Sequence, residues 1–165
     1  MTADGTDEPP GIDEPPWLDE TEQAVWRQYI SVMRLLPDRL SASLSRSHGL
    51  TLIDYEVLAR LSEAPLRRMR MTELAEGALL SKSRLSHQIS RMEKDGWVRR
   101  EPCETDGRGF FAVLTDQGWD KLLAAVPLHV RDVREAFVTP LSREQLVALG
   151  DALDVIGKGL EQGRG

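Results

Sequence analysis

A switch of hydrophobic period near residue 96 constrains this chain more than any other feature. Before it, Leu85, Ile89 and Met92 recur at helical spacing behind Ser81, a good N-cap, and Asp95-Gly96 supplies a stop. After it, Trp97 to Pro102 and Phe110 to Leu114 read as two short strands separated by a turn-rich Asp106-Gly107-Arg108-Gly109. Two shorter helical patterns precede this run. One covers about 52–63, with Ile53, Val57, Leu58 and Leu61 on one face and Pro65 closing it. The next carries Leu74, Ala75 and Ala78, with Thr72 as its expected cap and Glu73 and Glu76 where a helix dipole favours anions. Short helix, tight connection, second helix, then hairpin is the order of a winged helix-turn-helix.

The flanks are helical too. Val25, Tyr29, Val32, Leu36, Leu40 and Leu44 mark a helix from Leu18 to about Arg46, which Pro37 is expected to kink or divide and His48-Gly49 to end. After Thr115 helical spacing resumes to about Val138, interrupted by Pro127. Ser142 with Gln145 then makes a capping-box start for a last helix. Its apolar residues Leu146, Leu149, Leu153, Ile156 and Leu160 alternate by threes and fours, a narrow stripe suited to a helix–helix seam. A small middle domain offers such long terminal helices few partners within one chain, so a homodimer is expected, with Val25 in its interface beside that stripe; packing onto the chain's own core is the other reading. The fold class is mainly α with a small β-wing, six helices with the hairpin between the fourth and fifth. The expected division is an acidic Pro-rich disordered tail at 1–16, an N-terminal dimerisation helix at 17–50, a winged domain at 51–115 and C-terminal dimerisation helices at 116–165.

Charge supports this once partitioned. The 165 residues carry a net charge of −6, unfavourable for a partner of DNA if taken whole. Residues 1–25 hold eight acids and no bases, whereas residues 66–109 hold ten Lys and Arg against seven Asp and Glu. Phosphates feel the local field within a Debye length of roughly 8 Å, so one segment can bind DNA on an acidic chain. No Lys or Arg precedes Arg27, which argues against a secretory signal or transit peptide, and no apolar run is long enough to span a bilayer; a cytoplasmic address is expected.

On a helical wheel Leu85, Ile89 and Met92 turn inward, while Ser83, Arg84, His87, Ser90, Arg91 and Lys94 point roughly the other way. That outward set contains no carboxylate. An ordinary solvated face mixes both signs; small hydroxyls, an imidazole and guanidinium groups instead suit base edges and phosphates. The candidate DNA contacts are Ser81, Lys82, Ser83, Arg84, Ser86, His87, Ser90 and Arg91 on the helix, with Ser83, His87 and Arg91 favoured as base readers. At the hairpin tip, Arg108 lies between two glycines and suits a narrow minor groove, and Asp106 can orient it through a charge-assisted hydrogen bond. A generic Asp-Gly hairpin turn is the competing reading of the tip.

The stretch 71–118, MTELAEGALLSKSRLSHQISRMEKDGWVRREPCETDGRGFFAVLTDQG, resembles the MarR family of transcriptional regulators. The resemblance rests on Leu74-Ala75, the run from Met92 to Arg100, the Asp106-x-Arg108-Gly109 tip and Leu114-Thr115-x-x-Gly118, and it extends over about 18–160. It implies an obligate homodimer with interleaved terminal helices and recognition helices in successive major grooves. Double-stranded DNA is the implied partner, and Asp106 with Arg108 the wing pair. Two-fold symmetry implies a pseudo-palindromic operator with half-sites about one helical turn apart. It further implies a repressor responsive to a small-molecule effector, aromatic or anionic, where dimer helices meet the winged domain. Trp26, Tyr29, His48 and Tyr55 are candidate lining residues, each also readable as core, and Arg46 could pair with an anion.

No cofactor is implied, and no cysteine–histidine cluster has zinc-site spacing. The single cysteine, Cys103, lies beside Glu101 and Glu104, whose charges disfavour a thiolate, so redox sensing is not expected. Enzyme signatures such as a P-loop, a nucleophile elbow or His-Glu-x-x-His do not occur. The alternative function is a winged-helix protein–protein module, which predicts an acidic or apolar outward helix face.

Overall fold

The structure, a computed structural model, describes residues 17–103 and 109–162. The readings on the 1–16 tail and on Asp106 and Arg108 lie outside the described residues. The chain divides into two units, 1–34 and 35–165. Helix α1 (Glu20–His48) contains Pro37 in its interior, so the proline does not divide it. A proline removes one intrahelical bond and crowds the carbonyl four residues back. Here the apolar spacing stays in phase on both sides, and the helix persists. In the first unit Asp19 and Glu22 cap each other's backbone N–H at 2.8 Å. Val25, Trp26, Tyr29 and Val32 remain exposed, with the Trp26 and Tyr29 rings stacked at 5.8 Å.

The second unit holds the remaining elements. Gly49, at φ +63°, ends α1, and its N–H donates to the Ser45 carbonyl. Helix α2 (Leu52–Glu63) starts from a reciprocal Thr51–Asp54 capping box. A single 3₁₀ turn, Pro65–Arg67, leads into strand β1 (Arg68–Arg70). Then come α3 (Met71–Gly77), α4 (Lys82–Lys94), β2 (Val98–Pro102), β3 (Phe110–Leu114), α5 (Asp116–Val133), a π-helical turn (Arg134–Val138) and α6 (Arg143–Gln162). Thr72 lies inside α3 rather than capping it; Arg70 holds the cap position, and its side chain does not bond the N–H groups of the helix start. Pro127 likewise lies within α5 and does not interrupt it.

The sheet has a strand that the sequence pattern does not announce. Its order is β1-β3-β2, all antiparallel, with Arg70 and Glu101 both opposite Phe111 and Arg100 opposite Ala112. Three residues, Arg-Met-Arg, show no apolar alternation of their own; pairing with the open edge of β3 makes them a strand.

Leu44, Leu50, Val57, Leu58, Leu61, Leu74, Leu85, Ile89 and Met92 are fully buried in one core with Ala112 and Leu114. Each buried aliphatic side chain contributes about 1.5–3 kcal/mol, so this cluster holds α2, α3, α4 and the sheet together. Helix α6 contributes nothing to it. None of its residues is buried, and Leu160 is 69% exposed. Its Ser142–Gln145 capping box forms as the sequence predicts, with bonds of 2.9 and 3.2 Å. Among the described residues no helix is long and apolar enough to cross a membrane.

Candidate nucleic-acid interface

Helix α4 is amphipathic in the strictest sense available to a short helix. Leu85, Ile89 and Met92 are wholly inside, while Lys82, Ser83, Arg84, Ser86 and His87 are exposed. Ser81 caps it, accepting from the Arg84 N–H at 3.2 Å, and the first turn contains no acid. Unopposed N–H groups and cations therefore share one end of the helix, an arrangement that favours an anion such as phosphate. Leu79 at φ +53° makes the tight turn from α3 that sets α4 across the domain.

The two flanks of α4 are tied to the fold, which alters the reading of three candidates. On one flank, Arg91 and Gln88 both donate to Asp54, a carboxylate with 0% exposure. Asp54 also accepts from the Thr51 N–H and hydroxyl at 2.7 Å each. The bond to Asp54 raises the Arg91 pKa above its ordinary value, against a smaller opposing effect of burial. Arg91 is thus engaged inward rather than held out as the wheel suggests, although its side chain keeps 43% exposure. On the other flank, Arg100 of β2 donates to the Ser86 carbonyl at 2.9 Å and the Ser90 hydroxyl at 3.1 Å, and pairs with Glu93. Ser90 is accordingly half-buried and points at the wing strand, and Ser86 shares that guanidinium. Asp54, Gln88, Glu93 and Arg100 are the positions that sequence reasoning missed. Only the Thr51-x-x-Asp54 spacing carried a local signal, that of a helix start.

The hairpin leaves the sheet beside α4. Its ladder runs to Pro102 opposite Phe110, and the Cys103 N–H donates to the Gly109 carbonyl at 2.9 Å. Cys103 is itself buried. A cleft of about 260 Å³ separates α4 from the hairpin, and Arg70, Lys82 and Arg100 bring three cations to its lining.

Two of the effector candidates belong to each unit. Trp26 and Tyr29 stack on each other in the first unit. In the second, His48 is half-buried at the end of α1, and the Tyr55 ring meets His129 of α5 at 4.1 Å. His129 Nδ1 and Asp132 Oδ2 are buried and find no hydrogen-bond partner among the described residues. Burial lowers the His129 pKa below 6.5, opposed by the nearby Asp132 charge, and burial with the Glu63 charge raises that of Tyr55. The folded chain therefore keeps His129 neutral where the unfolded chain, with a pKa near 6.5, takes up a proton. Stability is expected to fall as pH drops through that value. Melting temperatures at pH 7.5 and 5.5 should differ less in His129→Gln than in the parent; equal differences would refute the assignment. Among the described residues no three His, Cys, Asp or Glu side chains group as a metal site.

Comparison with known proteins agrees with this geometry. Residues 48–109 match the sequence profile of the MarR family. The transcriptional regulator HosA of Escherichia coli O127:H6 is 35% identical over 96 residues, 58% of this chain and 69% of that protein. The fold is similar to crystal structures of two Streptomyces coelicolor proteins. Sco3205, a MarR family transcriptional regulator in complex with DNA, is 48% identical with a TM-score of 0.85, covering 90% of this chain and 92% of that one. AbsC, also a MarR family transcriptional regulator, is 47% identical with a TM-score of 0.84, covering 90% and 99%. With a winged fold, an acid-free helix front and the two Streptomyces coelicolor relatives along nearly its whole length, the chain belongs to the MarR family.

Proposed function

We propose that this protein is a sequence-specific DNA-binding transcriptional regulator, a ligand-responsive repressor acting as a homodimer on a pseudo-palindromic operator. The observation that carries this reading is the front of α4. Lys82, Ser83, Arg84 and His87 are exposed together with no carboxylate among them, on a helix whose rear face is wholly buried. Lys82 and Arg84 suit phosphates, Ser83 and His87 can approach base edges, and Ser81 lies at the helix end where a phosphate would sit. Arg108 is assigned to the minor groove, with Asp106 orienting it. Residues 51–115 then form the DNA-binding domain, with 17–50 and 116–165 given to dimerisation. The apolar face of α6 supports that division, since Leu153, Ile156 and Leu160 are exposed and a second copy would cover them. The buried atoms of His129, which meets Tyr55, and of Asp132 that find no partner among the described residues support a polar effector contact there. An acid-free front is the opposite of what the protein–protein alternative requires, and nothing in this reading calls for catalysis.

A gel shift with the DNA upstream of the protein's own gene tests the proposal. A shift that weakens steeply with salt is expected, and its absence on that DNA and on neighbouring promoters would sink the reading. In the same assay Arg108→Ala is expected to weaken binding about tenfold without changing the melting temperature. Unchanged affinity would make the hairpin a structural feature only.

A further inference from the structure

We infer that Arg100 is a positioning residue that fixes the wing hairpin against the recognition helix, acting through the shape of its guanidinium and not through its charge on DNA. This rests on the DNA-binding reading above. Ser86, Ser90 and Glu93 lie at successive i, i+4 and i+7 positions, one face of α4, and Arg100 reaches all three from β2. Its Nη2 donates to the Ser86 carbonyl at 2.9 Å and to the Ser90 hydroxyl at 3.1 Å, and its Nη1 pairs with Glu93. The other Glu93 oxygen accepts the Arg100 backbone N–H at 2.9 Å, so the carboxylate grips strand and side chain together. Opposite Arg100, Ala112 of β3 is fully buried, which anchors the middle of the hairpin to the core. One planar fork thus sets where the hairpin stands relative to the helix, and only 23% of its side chain is exposed. Lysine keeps the charge but cannot present parallel donors to three acceptors.

The test measures operator and unrelated-duplex affinity across a salt series, on a promoter duplex that the unaltered protein shifts, at a temperature where circular dichroism shows each variant folded. Arg100→Lys and Arg100→Gln are both expected to lose about tenfold in operator affinity, a loss of about 1.4 kcal/mol, with the salt slope unchanged. Glu93→Gln, which removes a negative charge from the DNA-facing helix itself, is expected to weaken operator binding as well. The inference is overturned if Arg100→Lys binds like the parent while Arg100→Gln loses affinity and about 0.9 of salt slope, the mark of a phosphate contact. It is equally overturned if Glu93→Gln binds more tightly, as simple charge removal predicts, or if all three bind like the parent. Should the unaltered protein bind no DNA at all, the functional reading itself fails, a result visible before any variant is compared.

Discussion

Asp54→Ala is expected to destabilise the folded chain by about 3 kcal/mol, lowering the melting temperature by roughly 10 °C. The carboxylate is fully buried, and it closes the Thr51 capping box while accepting from Gln88 and Arg91 of α4. Loss of the cap costs about 1 kcal/mol. Loss of the charge-assisted bonds to α4 adds about 1.5–3 kcal/mol. Removing one member of a fully buried pair can cost about 3–5 kcal/mol, but the upper end does not apply because Arg91 can turn to water from a side chain already 43% exposed. Asp54→Asn keeps one acceptor oxygen, enough for the cap donors at Oδ2 or the α4 donors at Oδ1 but not for both, and is expected to lose about half as much. Thermal and urea unfolding of the parent and both variants checks this. If Asp54→Ala melts with the parent, the buried network holds nothing together.

Gly118→Ala is the second large effect, at about 3 kcal/mol, and its cause is steric. A methyl group at Gly118 would run into the Trp97 carbonyl oxygen and lie 2.8 Å from Leu114 Cδ1. The carbonyl is backbone and cannot turn aside as a flexible side chain could. It is also pinned, because it accepts from the Thr115 N–H at 3.1 Å, and the single proton of the Thr115 hydroxyl lies between it at 3.0 Å and the Gly96 carbonyl at 2.7 Å. The Thr115 hydroxyl oxygen in turn accepts the Gly118 N–H at 3.0 Å to start α5. The start of α5 is therefore sewn onto the end of the α4 turn, and an added Cβ must push the two apart, at the upper end of the usual cost of overpacking. This accounts physically for the Leu114-Thr115-x-x-Gly118 pattern. A methionine or leucine there should prevent folding outright, whereas a Gly118→Ala protein with unaltered melting would show that the contact opens at little cost.

Much of the frame is legible in the sequence, and the reason is local. Leu85, Ile89 and Met92 share a face because 3.6 residues make a turn, whatever surrounds them. Ser81, Thr115 and the Ser142–Gln145 pair mark helix starts because their oxygens reach backbone N–H groups only three residues on. Gly49 and Gly96 mark stops because both sit at positive φ. The same local logic misleads at four places, and at one of them the cause is a long-range pairing. Pro37 and Pro127 do not break their helices, Thr72 does not cap its own, and Arg68–Arg70 becomes a strand only by pairing with β3.

The opening feature, a helix passing directly into a hairpin, was determined by the sequence alone, as were its inward apolar face and the acid-free composition of its outward one. What only the tertiary structure decided is which outward residues stay available. Arg91 meets Asp54 across 37 residues of chain and Gln88 meets it across 34, while Ser86 and Ser90 are met by Arg100 from the following strand. A helical period says which way a side chain points, but a hydrogen bond depends on what the fold brings opposite it. Ser83, Arg84 and His87 are left facing outward on α4, with Lys82 at its start, because among the described residues no such partner folds onto them.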